Sequence, residues 1–139
     1  MKTKPVIVLA ALAGALAAQA AQAQVLPQID RVGGRSIEIL TAAAEDSAQG
    51  LRVSGLVRRG TALSRPPETA HLDVTAFDAE GRLLVTTPTR IGLLTATRRH
   101  RDPGRYVAVL PLLTLRDVVR LEVRYQALPH AAEKREVAR

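Results

Sequence analysis

Two residues with metal-ligand chemistry, His71 and Asp73, lie two positions apart in the chain. On an extended strand such residues project from the same face, so this imidazole and this carboxylate would offer a metal ion two neighbouring ligands. The other histidines, His100 and His130, are distant in sequence, and no group of potential ligands has metal-site spacing. The sequence therefore predicts a solvated polar strand face at this position, with no metal and no cofactor.

Hydroxyl and acidic side chains form no catalytic arrangement. Nucleophilic catalysis needs an activated Ser, Thr or Lys and a base oriented by a third group, whereas Ser54 lies within an alternating segment typical of a strand. The acidic pairs Glu45 with Asp46 and Asp78 with Glu80 lie in sequences typical of turns, where acids are favoured for backbone reasons. We expect no enzymatic activity.

Arginine is the strongest chemical signal in the chain. Arg58 and Arg59 precede one predicted loop, and a second basic run at 98–101 precedes a turn. Such runs indicate contact with a polyanion. The chain has only three aromatic residues, too few for the stacking platforms that bind single-stranded nucleic acid. The pattern therefore favours an anionic glycan or a lipid head group of the cell envelope over nucleic acid.

Most of the chain alternates apolar and polar residues, which predicts β-strands. A tight turn at 78–81 predicts a hairpin, Gly55 is a candidate bulge, and Pro88 separates two predicted strands. The seven predicted strands are 36–39, 51–58, 71–77, 82–85, 90–97, 106–110 and 119–126.

These strands predict one all-β domain over residues 36–128. The strand number resembles that of the seven-stranded antiparallel immunoglobulin-like or fibronectin-like sandwich, without the Cys…Trp…Cys core, because the chain has neither cysteine nor tryptophan. A small β-barrel is the alternative. Residues 24–35 lack a clear period and are predicted to be a lead-in segment. Residues 129–139 are too short for an independent helix and are predicted to be a frayed or disordered tail.

The order of the loops predicts where the arginines gather. If successive strands run antiparallel, successive connections alternate between the two ends of the domain. This places the loops 58–69, 86–89 and 111–117 at one end, with a formal charge of +2. The loops 43–49, 78–81 and 98–104 lie at the other end, where the acidic residues of the first two loops outweigh the basic run and the formal charge is −2. The candidate anion-binding residues of the basic end are Arg58, Arg59, Arg65 and Arg116.

The N-terminus has the features of a secretory signal peptide. Lys2 and Lys4 precede an uncharged apolar run, 6–18, and small-x-small cleavage sites follow it. The run is shorter than the roughly 20 residues of a transmembrane helix. We expect cleavage after Ala23, no transmembrane span, and export to the periplasm, with the extracellular medium as the alternative.

The composition of the remaining chain fits a small exported domain. Loss of residues 1–23 removes two lysines and no acid, leaving 18 basic against 13 acidic residues and a formal charge of +5. Without cysteine the domain must be held by packing alone. The sequence predicts an exported, non-enzymatic β-sandwich that acts as a binding or structural module through protein or envelope contacts. The alternative is an anion-binding module for an envelope polyanion.

Overall fold

The computed structural model describes residues 25–61, 66–92 and 102–130, and these form an all-β fold of two sheets. No helix occurs in the described ranges, and hence none there has the length and apolar character to cross a membrane. The eight strands are β1 (Gln28–Val32), β2 (Ile37–Ile39), β3 (Ala43–Ser47), β4 (Gly50–Arg59), β5 (His71–Phe77), β6 (Leu83–Arg90), β7 (Gly104–Leu110) and β8 (Arg120–Gln126).

The first sheet contains four strands in the order β1-β8-β5-β6. β5 is antiparallel to both of its neighbours, and β1 is parallel to β8. The alternation predicted for β5 and β8 is confirmed on the inner face, where Leu72, Val74, Leu121 and Val123 are fully buried. β5 and β8 are therefore both hydrogen-bonded along two edges, and β5 is the more buried of the two.

The second sheet is built around β4, which pairs with β7 on one edge and with both β2 and β3 on the other. β2 and β3 together form one interrupted strand. At the interruption the amides of Leu40 and Thr41 both donate to the carbonyl oxygen of Leu56. A Cβ at Gly55 would collide with the carbonyl oxygen of Thr41. The irregularity therefore lies opposite the glycine that the sequence marked as a bulge.

The inner faces of the two sheets share one apolar core. It contains no phenylalanine, and its only buried aromatic side chain is Tyr106, with a relative exposure of 2%. The remaining core residues among those described are aliphatic: Ile37, Ile39, Leu51, Val53, Val57, Leu72, Val74, Ala76, Ala108, Leu110, Leu115, Val118, Leu121 and Val123.

The two ends of the fold can be defined by strand register. Val57 near the end of β4 pairs with Gly104 at the start of β7, and the amide of Gly92, just after β6, donates to the carbonyl of Arg105. We call this the Arg59 end. The opposite end, where Leu51 pairs with Leu110, is called the Gly50 end.

The strand prediction is wrong in three places. The lead-in segment contains β1, and the predicted loop 43–49 contains β3, whose sequence lacks the apolar alternation of a half-buried strand because most of its residues are exposed. Pro88 does not separate two strands, since β6 continues through it to Arg90. β6 is the last strand of its sheet, and proline is tolerated in such an edge strand because an amide on the open side needs no partner strand.

The remaining part of the predicted strand 90–97, residues 93–97, lies outside the described residues. The barrel alternative is wrong for the described part of the chain, where the strands form two sheets and no closed barrel.

Tyr106 connects the core to the interrupted strand and should make stability sensitive to alkaline pH. Its hydroxyl donates to the carbonyl oxygen of Thr41 at 2.9 Å. Burial raises the pKa of Tyr106 from 10.0 to about 12. A folded-state pKa above the unfolded value means that the stabilisation is complete below pH 10 and is lost as the pH rises toward 12.

We predict that Tyr106→Phe lowers the free energy of unfolding at pH 7 by about 1 kcal/mol, because the Thr41 carbonyl loses its donor. Above pH 10 the difference between variant and wild type should shrink. Urea unfolding of the variant and the wild-type chain between pH 8 and 11.5 measures this difference. A difference that stays constant across pH 10 to 11.5 would contradict the assignment.

Leu112 is the only described non-glycine residue with a positive φ, at 64°, and its side chain is 97% exposed. A left-handed backbone costs a residue with a Cβ about 1–2 kcal/mol, and exposure leaves no packing gain to offset that cost. We predict that Leu112→Gly raises the free energy of unfolding by roughly 0.5–1 kcal/mol. The same change at Leu26, which is exposed without a positive φ, is the control and should give no increase. Urea unfolding of the two variants decides the point.

Candidate metal centre

The structure separates the arginines that the sequence placed together. Arg58 and Arg59 end β4 and so lie at the Arg59 end. Arg116 follows Leu115, whose amide donates to the carboxylate of Asp46 in β3, and this places it at the Gly50 end. The predicted gathering is therefore wrong for Arg116. The reason is Pro88: splitting β6 into two strands adds one reversal and assigns every later loop to the wrong end.

The other arginines of that prediction are only partly described. Arg65 and the basic run 98–101 lie outside the described residues. Gly92 and Asp102, which flank that run, are at the Arg59 end, whereas the sequence argument placed the loop 98–104 at the opposite end. Arg58 is paired across the sheet with Glu38, with an Nε to Oε2 distance of 2.7 Å. Anion binding by these residues remains a prediction.

A second group of side chains converges on the outer face of the first sheet. The outer positions of β5 carry His71, Asp73 and Thr75, and Asp73 is only 5% exposed although it faces away from the core. A carboxylate with so little access to water needs polar or charged partners close by. The outer face therefore contains a built polar site around Asp73.

The partner of Asp73 comes from beyond the end of β8. The Nε2 atom of His130 lies 3.0 Å from Oδ1 and 2.9 Å from Oδ2 of Asp73, and 3.3 Å from Nε2 of His71. His71 Nε2 is in turn 3.4 Å from Asp73 Oδ1. The potential ligand atoms of these three residues thus all lie within 4.8 Å of one another. We call His71, Asp73 and His130 the His-Asp-His cluster.

The orientation of His71 is set by the backbone before β5. Its Nδ1 atom lies 2.9 Å from the carbonyl oxygen of Thr69. A carbonyl oxygen can only accept, so Nδ1 carries the proton, and in the neutral ring Nε2 then has a free lone pair directed at the cluster. Metal-binding histidines characteristically donate their second ring nitrogen to a carbonyl or carboxylate in this way.

The distances in the cluster match those between the ligands of a tetrahedral metal ion. Bonds of about 2.0–2.1 Å to zinc place neighbouring ligand atoms about 3.3 Å apart. The two distances from His71 Nε2 are 3.3 and 3.4 Å, and His130 and Asp73 at 2.9 to 3.0 Å would separate by a few tenths of an ångström. The described residues therefore fit an ion with three protein ligands and one position open to solvent.

Among the described residues, no hydroxyl side chain is positioned as a nucleophile at this cluster. The nearest threonines on the chain are already engaged: the Thr69 hydroxyl donates to the carbonyl of Ala127 at 2.9 Å, and Thr75 bonds Thr86 at 3.1 Å. His130 with Asp73 resembles a base and its orienting acid, but no hydroxyl of the described residues bonds to either histidine. The arrangement is suited to holding an ion.

Sequence reasoning placed His71 and Asp73 on one strand face, predicted no metal there, and did not include His130. His130 lies 59 residues from His71 and falls in the segment predicted to be a frayed tail. The available signal was the pairing of β5 with β8: Gln126 is level with His71, so the chain leaving β8 must pass close to the start of β5. Of that predicted tail, residues 131–139 lie outside the described residues.

Comparison of the chain with protein-family models, with curated proteins and with solved structures finds no match.

Proposed function

We propose that this chain is an exported, non-enzymatic module that binds one divalent transition-metal ion through His71, Asp73 and His130. The observation that carries the proposal is the convergence of two imidazole nitrogens and one nearly buried carboxylate at ligand-to-ligand distances of 2.9 to 3.4 Å. Hydrogen bonding of His71 Nδ1 to Thr69 supports it, because it presents the other ring nitrogen as a ligand.

The ligand set favours particular ions. Imidazole nitrogens suit Zn²⁺, Cu²⁺ and Ni²⁺, whereas Mg²⁺ and Ca²⁺ take oxygen ligands. The chain has no cysteine, so a thiolate site for soft ions is excluded. We expect Zn²⁺ and Cu²⁺ to bind, and Mg²⁺ and Ca²⁺ to compete poorly.

The architecture we propose is an immunoglobulin-like sandwich. The strand numbers support this proposal: counting β2 and β3 as one interrupted strand gives a four-stranded and a three-stranded sheet around a shared core, and seven-stranded sandwiches of this class divide in the same way. The parallel pairing of β1 with β8 departs from the antiparallel sandwich that the sequence predicts. Its place of action would be the periplasm, with a protein or another envelope component as partner, because residues 1–23 have the order of charges and apolar residues of a signal peptide.

The anion-binding alternative has weaker support. Arg58 and Arg59 do lie side by side at the end of β4, but the Arg58 guanidinium is bound to Glu38, and Arg116 lies at the other end of the fold.

We predict that the untagged chain lacking residues 1–23 binds one Zn²⁺ per molecule in isothermal titration calorimetry. His71→Ala and His130→Ala should each weaken binding by roughly 10- to 100-fold or more, because removing even a supporting contact of a metal site costs that much. His100→Ala, the same change at the remaining histidine, is the control and should leave the affinity unchanged.

Two results would contradict the proposal. One is an absence of saturable Zn²⁺ binding by the folded chain. The other is an equal loss of affinity in all three histidine variants, which would indicate unspecific binding to exposed imidazole. Asp73→Asn adds a further check, since it keeps the shape of the side chain while removing the ligand charge, and it should weaken binding as well.

Export has its own test. Intact-mass spectrometry of the protein recovered after expression with its leader should give a chain that begins at Gln24, because 21–23 is the last small-x-small site before the strands begin. A recovered chain that keeps its first 18 residues would contradict export by a cleaved signal peptide, and it would leave the metal proposal untouched.

A further inference from the structure

The three ligands of the His-Asp-His cluster are not held equally firmly. His71 and Asp73 belong to β5, which is hydrogen-bonded along both edges by β6 and β8. His130 lies beyond the end of β8, in residues 127–130, which we call the C-terminal strap. The sheet therefore fixes the positions of His71 and Asp73, whereas the position of His130 depends on how firmly the strap is held.

Few contacts hold the strap in the described part of the chain. The carbonyl of Ala127 accepts a hydrogen bond from the Thr69 hydroxyl at 2.9 Å, and His130 contacts Asp73 and His71. None of the backbone hydrogen bonds between described residues involves the strap, and Leu128 is 74% exposed. The cluster is thus the main fastening of the strap to the sheet.

Thr69 connects the two halves of the site. Its carbonyl oxygen orients the His71 ring, while its hydroxyl holds Ala127, three residues before His130. The turn that precedes β5 fixes Thr69 itself, through the hydrogen bond from the Ala70 amide to the Pro67 carbonyl at 3.0 Å. Thr69 thereby sets the tautomer of His71 and restrains the position of the segment that carries His130.

We infer that a bound metal ion fastens the C-terminal strap onto β5, and that Thr69 is the positioning residue that couples the two events. This inference rests on the proposed metal binding. An ion on His71 and Asp73 gains its third protein bond only when the strap is closed. Closure of the strap therefore raises the affinity for the ion, and ion binding raises the equilibrium constant for strap closure by the same factor. If loss of His130 weakens Zn²⁺ binding 100-fold, Zn²⁺ must shift the strap equilibrium at least about 100-fold toward closure.

The closed strap also changes what the sheet presents to solvent. His130 covers Asp73, whose side chain is 6% exposed beneath it, while the His130 side chain itself is 58% exposed. Opening the strap removes one ligand and uncovers a carboxylate on the central strand. The ion-free and ion-loaded chains would therefore differ at one defined surface, next to the start of β5.

The coupling is tested by ¹⁵N relaxation of the backbone amides of Leu128 and His130 in the chain lacking residues 1–23, with and without saturating Zn²⁺. In the wild-type chain we expect the heteronuclear NOE values of both amides to rise to those of β8 when Zn²⁺ is added. In His130→Ala, at a Zn²⁺ concentration that saturates its weaker site, the values of the amides at positions 128 and 130 should stay unchanged. Zn²⁺ binding that leaves the wild-type values unchanged overturns the inference and leaves the metal site standing. An absence of Zn²⁺ binding overturns the proposed function as well.

The role of Thr69 is tested by Thr69→Val, which removes the hydroxyl and keeps the shape and the carbonyl, and by Thr69→Ser, which restores the hydroxyl. Thr69→Val should weaken Zn²⁺ binding about tenfold and reduce the Zn²⁺-dependent rise at Leu128, and Thr69→Ser should recover both. Thr75→Val, on the same strand face but bonded to Thr86, is the matched control and should bind Zn²⁺ normally. A wild-type response from Thr69→Val, or a loss that serine does not rescue, overturns the positioning role.

Discussion

The need to satisfy a carboxylate on an enclosed strand governs the outer face of this fold. Asp73 lies on β5, between two paired neighbours, and has almost no access to water. Leaving such a charge without partners would cost several kcal/mol. The two histidines beside Asp73 reduce this cost. The position of His130 over Asp73 follows from this constraint, whereas the Thr69 carbonyl orients the His71 ring. A metal cation at the same point would give the carboxylate a charged partner.

The strands that could be predicted from the sequence are those with one buried and one wet face. β5 and β8 alternate because their inner positions are fully buried. β3 could not be predicted in this way: it lies at the edge, and the alternating pattern disappears when most side chains of a strand are exposed. Pro88 was misleading for a related reason. A proline interrupts a central strand but is tolerated in an edge strand, and the local sequence does not reveal which of the two a strand will be.

Only two of the three residues of the candidate site could be related from the sequence, for a similar reason. His71 and Asp73 are neighbours on one face through the local period of the strand. His130 joins them through the pairing of β5 with β8, a long-range contact that no spacing in the sequence expresses. Arg58 shows the reverse case: it belongs to a basic pair that is conspicuous in the sequence, and the fold pairs it across the sheet with Glu38. Exposed pairs of this kind contribute little to stability, but they offset the charge that made the sequence look like an anion-binding surface.

Anomalous X-ray diffraction at the zinc absorption edge, from crystals of the chain lacking residues 1–23 grown with Zn²⁺, tests the central claim most directly. The account predicts one strong anomalous peak bonded to Nε2 of His71, Nε2 of His130 and a carboxylate oxygen of Asp73, at about 2.0–2.2 Å from each. A peak bonded elsewhere, or a zinc-soaked crystal in which the His-Asp-His cluster keeps its direct hydrogen bonds with no ion between the side chains, would contradict it.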